Sequence, residues 1–148
     1  PVIAAGGIAD GRGVAAAFML GAEGVQCGTV FCACDEVNVH PNYKDMVIRA
    51  KDNSTRVTGR SYGHPVRQIR NALSNKYLEM EQSGVTFEEL EGLTVGSLRK
   101  AVVEGDTKEG TFMAGQIAGL VNEIRPAKVI IESMFAQADE LLGRKIEA

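Results

Sequence analysis

Two short apolar segments near the start of the chain, each followed by glycine, place the strongest constraint on its fold. Residues 2–5 run into Gly6-Gly7, and residues 25–27 run into Gly28-Thr29. Between them, residues 11–20 carry apolar side chains at helical spacing. A separation of a little over twenty residues between the segments is that of a compact βαβ unit. The pattern therefore predicts two parallel strands joined by a helix.

The residues that follow these two strands predict a phosphate site. The carboxyl ends of parallel strands meet at one edge of the sheet, where ligands bind in α/β proteins. Glycine allows the backbone to approach an anion closely, and backbone N–H groups and a helix N-terminus favour negative charge. The hydroxyl of Thr29 can donate to a phosphate oxygen. The alternative is that the glycines only form tight turns. Two such loops, one βα unit apart, favour phosphate binding.

Composition excludes several other classes of protein. Aromatic residues make up only 5% of the 148 residues and Trp is absent, which favours packed βα units over an all-β sandwich. A net charge of −3 argues against binding to nucleic acid or to a membrane surface. The sequence contains no apolar run of membrane-spanning length. Free thiols in an acidic, enzyme-like chain predict a cytoplasmic protein.

Beyond Thr29 the pattern predicts a mostly helical region. A short strand is expected at Thr55–Thr58, and a turn is expected before Pro65. Helices are expected at about 41–51, 65–82, 86–91, 94–103 and 127–143, with Gly92 dividing the two short ones.

The first strand lies at the start of the chain, and a parallel strand buried on both faces needs neighbours. Because the loops after strands 7 and 8 of (β/α)₈ TIM barrels make a phosphate site in many enzymes, we expect an α/β fold in which residues 1–35 form these two strands, with the rest of the barrel upstream. Residues 36–109 are expected to form a helical cap or small domain. Residues 110–148 are expected to return to the barrel and to end in a helix. By itself such a piece should be poorly stable.

A second glycine pattern and the cysteines are interpreted as structural. Residues 11–16 fit a dinucleotide-binding fingerprint, but they lie inside the predicted helix, and no acidic residue ends the second strand. A Walker A motif is absent. The spacing of Cys27, Cys32 and Cys34 does not fit a zinc site, so no metal is predicted.

The histidines and a basic stretch remain to be assigned. His40 and His64 each precede a proline, so roles at a helix start or a turn are favoured over proton transfer. The stretch of Arg56, Arg60, Arg67 and Arg70 is most simply a solvated face, and two functional alternatives stay open. These are the 2′-phosphate of NADPH and the acidic surface of a carrier protein.

Several motifs, spread over nearly the whole chain, resemble one family closely. The chain is similar to the flavin-dependent enoyl-(acyl-carrier-protein) reductases, FMN enzymes related to the nitronate monooxygenases. The first two motifs are shared with other flavin barrels, and the later ones are more specific to the reductase. The matching motifs are residues 1–11, 19–29, 40–44, Gly63-His64-Pro65-Val66-Arg67 and Met113-Ala114-Gly115-Gln116 with the four residues after it.

The resemblance implies a set of cofactor-binding residues. Gly6, Gly7, Gly28 and Thr29 would hold the FMN phosphate, and Gly115 and Gln116 would come close to the flavin. Hydride would pass from NADH or NADPH to the flavin and then to the β-carbon of a trans-2-enoyl thioester. The catalytic histidine of the family lies in a Gly-Gly-His loop. That loop does not occur in this sequence, so no catalytic residue is assigned here.

The resemblance also implies partners and leaves alternatives. An acyl carrier protein would present the substrate, the full-length protein would be a homodimer, and a monovalent cation is a further candidate cofactor. Nitronate monooxygenase, which oxidises alkyl nitronates with O₂, is the alternative enzyme. An alternative of another class is a non-catalytic fragment or a subunit that only binds phosphate.

Overall fold

The computed structural model describes residues 1–143 and contains the predicted βα unit. Strand β1 (Ile3–Ala5) is followed by helix α1 (Gly11–Met19) and strand β2 (Gly24–Gln26). The two strands pair in parallel, with Ala5 opposite Gln26. The parallel βα arrangement is thus confirmed, whereas its place as strands 7 and 8 of a barrel stays a prediction.

Helix α1 lies against the last helix of the described chain, α6 (Ala127–Leu142). A Cβ added to Gly11 would lie 2.5 Å from both the Cβ of Gln137 and the carbonyl oxygen of Met134. The backbone N–H of Gly11 donates to Oε1 of Gln137 at 2.8 Å. The first glycine of the dinucleotide-like run therefore has a packing role: it lets α1 and α6 approach closely.

A three-stranded arrangement forms the centre of the predicted cap. Strands β3 (Thr55–Thr58) and β4 (Val66–Ile69) pair in antiparallel register. The segment 112–114 then pairs with the other edge of β4, because Ile69 donates to the carbonyl of Phe112 and Gln68 forms a bridge with Met113. The cap is therefore an α/β unit, not a bundle of helices alone.

The helix predicted for residues 65–82 is wrong in its first third. Helix α3 spans Ala72–Ser83 and begins after a capping box formed by Asn71 and Ser74. Helical spacing also fits Val66 and Ile69, but these residues belong to β4, where pairing on both sides outweighs the local pattern. The capping box was the local signal for the true start of the helix.

Two further boundaries differ from the prediction. Helix α4 (Phe87–Thr94) continues through Gly92, which does not divide it. The segment predicted as a helix at 94–103 is a short helix α5 (Ser97–Arg99), followed by a π-helical turn at Lys100–Glu104.

One hydrophobic core connects the βα unit to the rest of the chain. Helix α2 (Pro41–Ile48) and two 3₁₀ turns, Phe31–Ala33 and Gln116–Leu120, complete the described elements. The residues that are almost fully buried in this core include Val14, Val47, Phe112, Ala118 and Ile130.

None of the helices within residues 1–143 is long and apolar enough to cross a membrane.

Candidate functional site

The two glycine loops leave the same edge of the parallel sheet. Gly6 and Gly7 have φ angles of +95° and +71°, which glycine adopts far more readily than other residues. A Cβ at Gly6, Gly7 or Gly28 would meet no atom within 4 Å, so the space beside these loops is open. Among residues 1–143, the backbone N–H groups of Gly7 and Gly28 donate to no protein atom. The edge thus presents free donors beside an open space.

Thr29 joins this edge to the loop that returns from the cap. Its Oγ1 accepts a hydrogen bond of 2.9 Å from the backbone N–H of Gly115. Because this bond uses an acceptor lone pair of the hydroxyl, the proton of Thr29 stays available to a ligand. The residues that sequence reasoning assigned to two different regions are therefore in direct contact.

The amino end of α1 is less open to an anion than the sequence indicated. The N–H of Gly11 is taken by Gln137, and the N–H of Arg12 donates to Oδ1 of Asp10 at 3.0 Å. The hydrogen bond from the Arg12 side chain holds the pKa of Asp10 below its ordinary value, so this N-cap carries a negative charge at neutral pH. An anion at this edge would use the glycine loops rather than the helix end.

The return loop is fixed on the side of α2. The hydroxyl of Tyr43, whose ring is buried, donates to the carbonyl of Met113 at 2.7 Å. The ring of Tyr43 also packs on Phe112, with centroids 5.0 Å apart. These contacts hold Gly115 beside Thr29, while Gln116 begins a 3₁₀ turn and is exposed. Contact of Gln116 with a flavin stays a prediction.

This arrangement fits the phosphate group of a nucleotide cofactor. Open space, free backbone donors and a hydroxyl proton lie together where two parallel strands end. No basic side chain is needed for such a site, since backbone N–H groups bind phosphate in many glycine-rich loops.

The link between Thr29 and Gly115 gives a testable prediction. We expect Thr29→Val in the full-length protein to weaken the binding of FMN, the cofactor that the family resemblance implies, about fivefold to thirtyfold, because both the donor and the anchor of the return loop are lost. Fluorescence titration of the apoprotein with FMN measures the effect. Thr29→Ser keeps the hydroxyl and should bind within about twofold of the wild type. Unchanged affinity in the valine variant would exclude Thr29 from the site.

The histidines occupy structural positions. His40 is the N-cap of α2, where its Nδ1 accepts from the N–H of Asn42 at 3.1 Å. His64 lies in the turn between β3 and β4 and packs on the ring of Phe87, with centroids 5.1 Å apart. Neither lies at the glycine edge.

The three cysteines are buried to different degrees. Within residues 1–143, no group of three or more His, Cys, Asp or Glu side chains could hold a metal ion. Cys27 and Cys32 are half-buried, and Cys34 is buried.

Thiol reactivity follows from this burial. Desolvation raises the pKa of Cys27 and of Cys32, so both thiols stay protonated at neutral pH. We expect iodoacetamide to alkylate them at pH 7 at least about tenfold more slowly than free cysteine, and faster as pH rises. Mass spectrometry of the native protein checks this, with guanidinium-unfolded protein as the control. Labelling at the rate of free cysteine would contradict it.

The basic stretch does not form one patch. Arg56 is opposite Gln68 in the hairpin, whereas Arg67 is opposite Val57 and therefore faces the other side of the sheet. Arg67 donates to Oγ1 of Thr55 at 3.0 Å. Burial and the nearby Arg70 lower the pKa of Arg56.

Sequence reasoning missed Gln68. Its side chain is 2% exposed and lines a cavity of about 260 Å³ in the cap. Nε2 donates to Oγ1 of Thr58 at 3.1 Å, but Oε1 has no partner. A glutamine within an alternating β segment would have been the signal, but the helical assignment of residues 65–82 placed it on a polar face.

A glycine-lined edge with free backbone donors on a parallel βα unit, joined to a loop from an α/β cap, is typical of α/β enzymes with a phosphorylated cofactor. The chain matches the family model "Nitronate monooxygenase" over residues 1–137. It therefore belongs to the nitronate monooxygenase family, and the expected relationship to these flavoprotein oxidoreductases is confirmed.

Relatives of known name extend this result. The chain is 36% identical over 144 residues to a probable nitronate monooxygenase of Staphylococcus saprophyticus, covering 97% of this chain and 40% of that protein. Its sequence is 53% identical to that of FabK from Thermotoga maritima. The two structures match with a TM-score of 0.91 over 96% of this chain and 45% of that one. It is 29% identical to a nitroalkane oxidase of Streptomyces ansochromogenes, with a TM-score of 0.75 and coverages of 95% and 40%. The chain thus spans less than half the length of these relatives.

Proposed function

We propose that the protein containing this chain reduces trans-2-enoyl-(acyl-carrier-protein) thioesters with NADH or NADPH through bound FMN. The observation that carries the proposal is the 53% identity to FabK, an enoyl-(acyl-carrier-protein) reductase, over 96% of the chain. The relatives named probable nitronate monooxygenase are 36–37% identical. The likeness to FabK includes the cap as well as the βα unit, because it covers nearly the whole chain.

This chain would bind the phosphate end of the cofactor. Gly6, Gly7 and Gly28 would place backbone donors around the phosphate, and the Thr29 hydroxyl would add one more. Gly115, held on Thr29, would bring the return loop and Gln116 toward the flavin. When bound, FMN would supply the two-electron redox chemistry that links the nicotinamide to the enoyl substrate.

The residues of this chain would therefore orient the cofactor rather than take part in the reaction themselves. They fix the phosphate and one loop, while the overall reaction consumes one NAD(P)H and one proton for each double bond reduced. The partners of the full-length protein are part of the proposal: an acyl carrier protein, a second copy of the protein and, as a further candidate, a monovalent cation. A cytoplasmic location likewise remains a proposal.

Nitronate oxidation with O₂ is the second candidate function. It is supported by the family model and by the names of the curated relatives. Both activities would use the same phosphate edge, so the edge does not discriminate between them.

An anaerobic flavin-reduction experiment separates the two enzymes. The full-length, FMN-loaded protein is mixed with NADH or NADPH without oxygen, and the visible absorbance of the flavin is followed. The proposed reductase bleaches rapidly and recovers its absorbance when crotonyl-pantetheine is added. A nitronate oxidase does not depend on NAD(P)H and turns over propyl nitronate in air. A full-length protein that binds FMN but performs neither reaction would favour the phosphate-binding, non-catalytic alternative.

A further inference from the structure

An open groove lined by two arginines lies beside the start of β3. It is bounded by the carboxyl end of α2, the loop that follows this helix and the end of β4, and its volume is about 280 Å³. Its polar lining, which defines what we call the basic groove, consists of Arg49, Asn53, Ser54 and Arg70. The other lining residues are apolar, so the lining within residues 1–143 contains no carboxylate.

Arg70 brings an unpaired positive charge to this groove. Within residues 1–143, its exposed side chain makes no hydrogen bond and no ion pair with a carboxylate. Burial of Arg56 and, in addition, the charge of the nearby Arg70 lower the pKa of Arg56, so the two guanidinium groups are close in space. Two neighbouring cations without a counter-ion repel each other, and a bound anion would relieve that repulsion.

Two neutral donors stand beside Arg70. The backbone N–H of Arg70 donates to the carbonyl of Ser54 at 2.9 Å, which holds the two residues together. Oγ of Ser54 accepts a hydrogen bond of 2.8 Å from the backbone N–H of Lys51, and its own proton goes to no atom of residues 1–143. The carboxamide of Asn53 also has no partner among these residues. Hydroxyl and amide groups of this kind donate to phosphate oxygens alongside arginine.

The second arginine of the groove is held by a weak bond. Nη2 of Arg49 pairs with Oδ2 of Asp45 at 2.8 Å, in an exposed bridge between residues four apart on α2. Such a bridge stabilises a helix by only about 0.3–0.5 kcal/mol, so Arg49 can readily exchange it for a phosphate. A planar guanidinium group binds phosphate through two parallel hydrogen bonds, which suits both arginines to this ligand.

The basic groove adjoins the loop that returns from the cap. A Cβ on Gly119 would lie 3.0 Å from the backbone nitrogen of Asp52, so this 3₁₀ turn packs directly on the loop that carries Asn53 and Ser54. A 3₁₀ helix rises about 2 Å per residue, so the four steps from Gly115 to Gly119 span about 8 Å. The groove and the contact between Thr29 and Gly115 therefore lie toward opposite ends of one short turn. A dinucleotide or a pantetheine arm is long enough to bridge them.

We propose that the basic groove binds a phosphate group of a substrate, with Arg70 as its principal cation and Ser54 and Asn53 as neutral donors. This inference rests on the proposed function, because that reaction supplies the two sources of the phosphate. One source is the 2′-phosphate of NADPH, and the groove would then select NADPH over NADH. The other is the phosphate of the phosphopantetheine arm, and the groove would then favour carrier-bound over simple thioesters.

Equilibrium binding to the full-length protein with oxidised FMN tests this without turnover. Calorimetry in phosphate-free buffer compares two ligand pairs, each with and without the phosphate. The first pair is NADP⁺ and NAD⁺, and the second is crotonyl-4′-phosphopantetheine and crotonyl-pantetheine. We expect Arg70→Gln to raise the Kd of at least one phosphate-bearing ligand about tenfold and to leave that of its phosphate-free analogue within about twofold. The pair that responds identifies the source.

Arg60→Gln is the matched control. It removes the same charge from the same basic stretch, but Arg60 is exposed in the turn between β3 and β4 and does not line the groove. It should leave all four Kd values within about twofold. Ser54→Ala, which keeps both arginines, should raise the Kd of the responding ligand about threefold to fivefold. Circular dichroism checks that each variant is folded.

Two results would overturn the inference. Equal losses of affinity in Arg60→Gln and Arg70→Gln would mean that surface charge attracts the ligand without a defined site. Unchanged binding of both phosphate-bearing ligands by folded Arg70→Gln would mean that the groove holds neither phosphate.

Failure of this inference and failure of the proposed function give different results. A wild-type protein that reduces enoyl thioesters but binds both members of each pair equally would remove the inference alone. A wild-type protein that binds a phosphate-bearing ligand through Arg70 but reduces no enoyl thioester would keep the groove and remove the reductase function.

Discussion

Replacing Gly28 with aspartate in the full-length protein should lower its affinity for FMN at least about a hundredfold and leave the fold intact. A side chain at Gly28 meets no atom within 4 Å, and the φ of Gly28 lies outside the left-handed region, so the substitution is not strained. The new carboxylate would enter the open space that we assign to the phosphate. Two like charges about 4 Å apart repel by about 4 kcal/mol at an effective dielectric constant of 20.

Two variants separate charge from size and position. Gly28→Asn has the same shape without the charge. Its Kd for FMN should rise by less than about a tenth of the rise seen in the aspartate variant. Gly92→Asp places the same charge within α4, outside the glycine loops, on a glycine that likewise has open space and a φ outside the left-handed region. FMN titration of each apoprotein gives the Kd values, and circular dichroism checks the fold. Equal binding by Gly28→Asp and the wild type would show that the phosphate lies elsewhere.

The βα unit could be predicted because its signals are local. Apolar strand segments, the glycines that end them and Asp10 as N-cap all lie within the first thirty residues. Each of these features acts over a few residues, so the sequence pattern and the observed β1–α1–β2 order agree. The family resemblance then supplied the cofactor, which no local pattern specifies.

The cap could be predicted only in part because long-range pairing determines it. Val66 and Ile69 fit one face of a helix, and only β3 on one side and segment 112–114 on the other make them a strand. The contact between Thr29 and Gly115 spans 86 residues and has no local signature. The unpaired oxygen of Gln68 likewise emerges only when the sheet and helices enclose a cavity.

The close approach of α1 and α6 is expected to make Gly11→Ala one of the most destabilising methyl additions in the chain. The new Cβ would lie 2.5 Å from the carbonyl oxygen of Met134 and 2.7 Å from the backbone nitrogen of Ala138. These are backbone atoms and cannot rotate away, so the helices must separate and lose both their packing and the bond from Gly11 to Gln137. We expect a loss of about 3 kcal/mol or more in the free energy of unfolding of the full-length protein.

Gly92→Ala is the matched control for that loss, because it adds the same methyl group to a helical glycine with open space around it. Gly92 lies inside α4, and a Cβ there meets no atom within 4 Å. Alanine should therefore stabilise the protein by about 0.5–1 kcal/mol through its better helix propensity. Urea unfolding of both variants measures the two changes, whose signs should be opposite. A Gly11→Ala variant as stable as the wild type would mean that α1 and α6 can separate freely. In that case Gly11 would not be a packing residue, and the dinucleotide-like interpretation of residues 11–16 would have to be reconsidered.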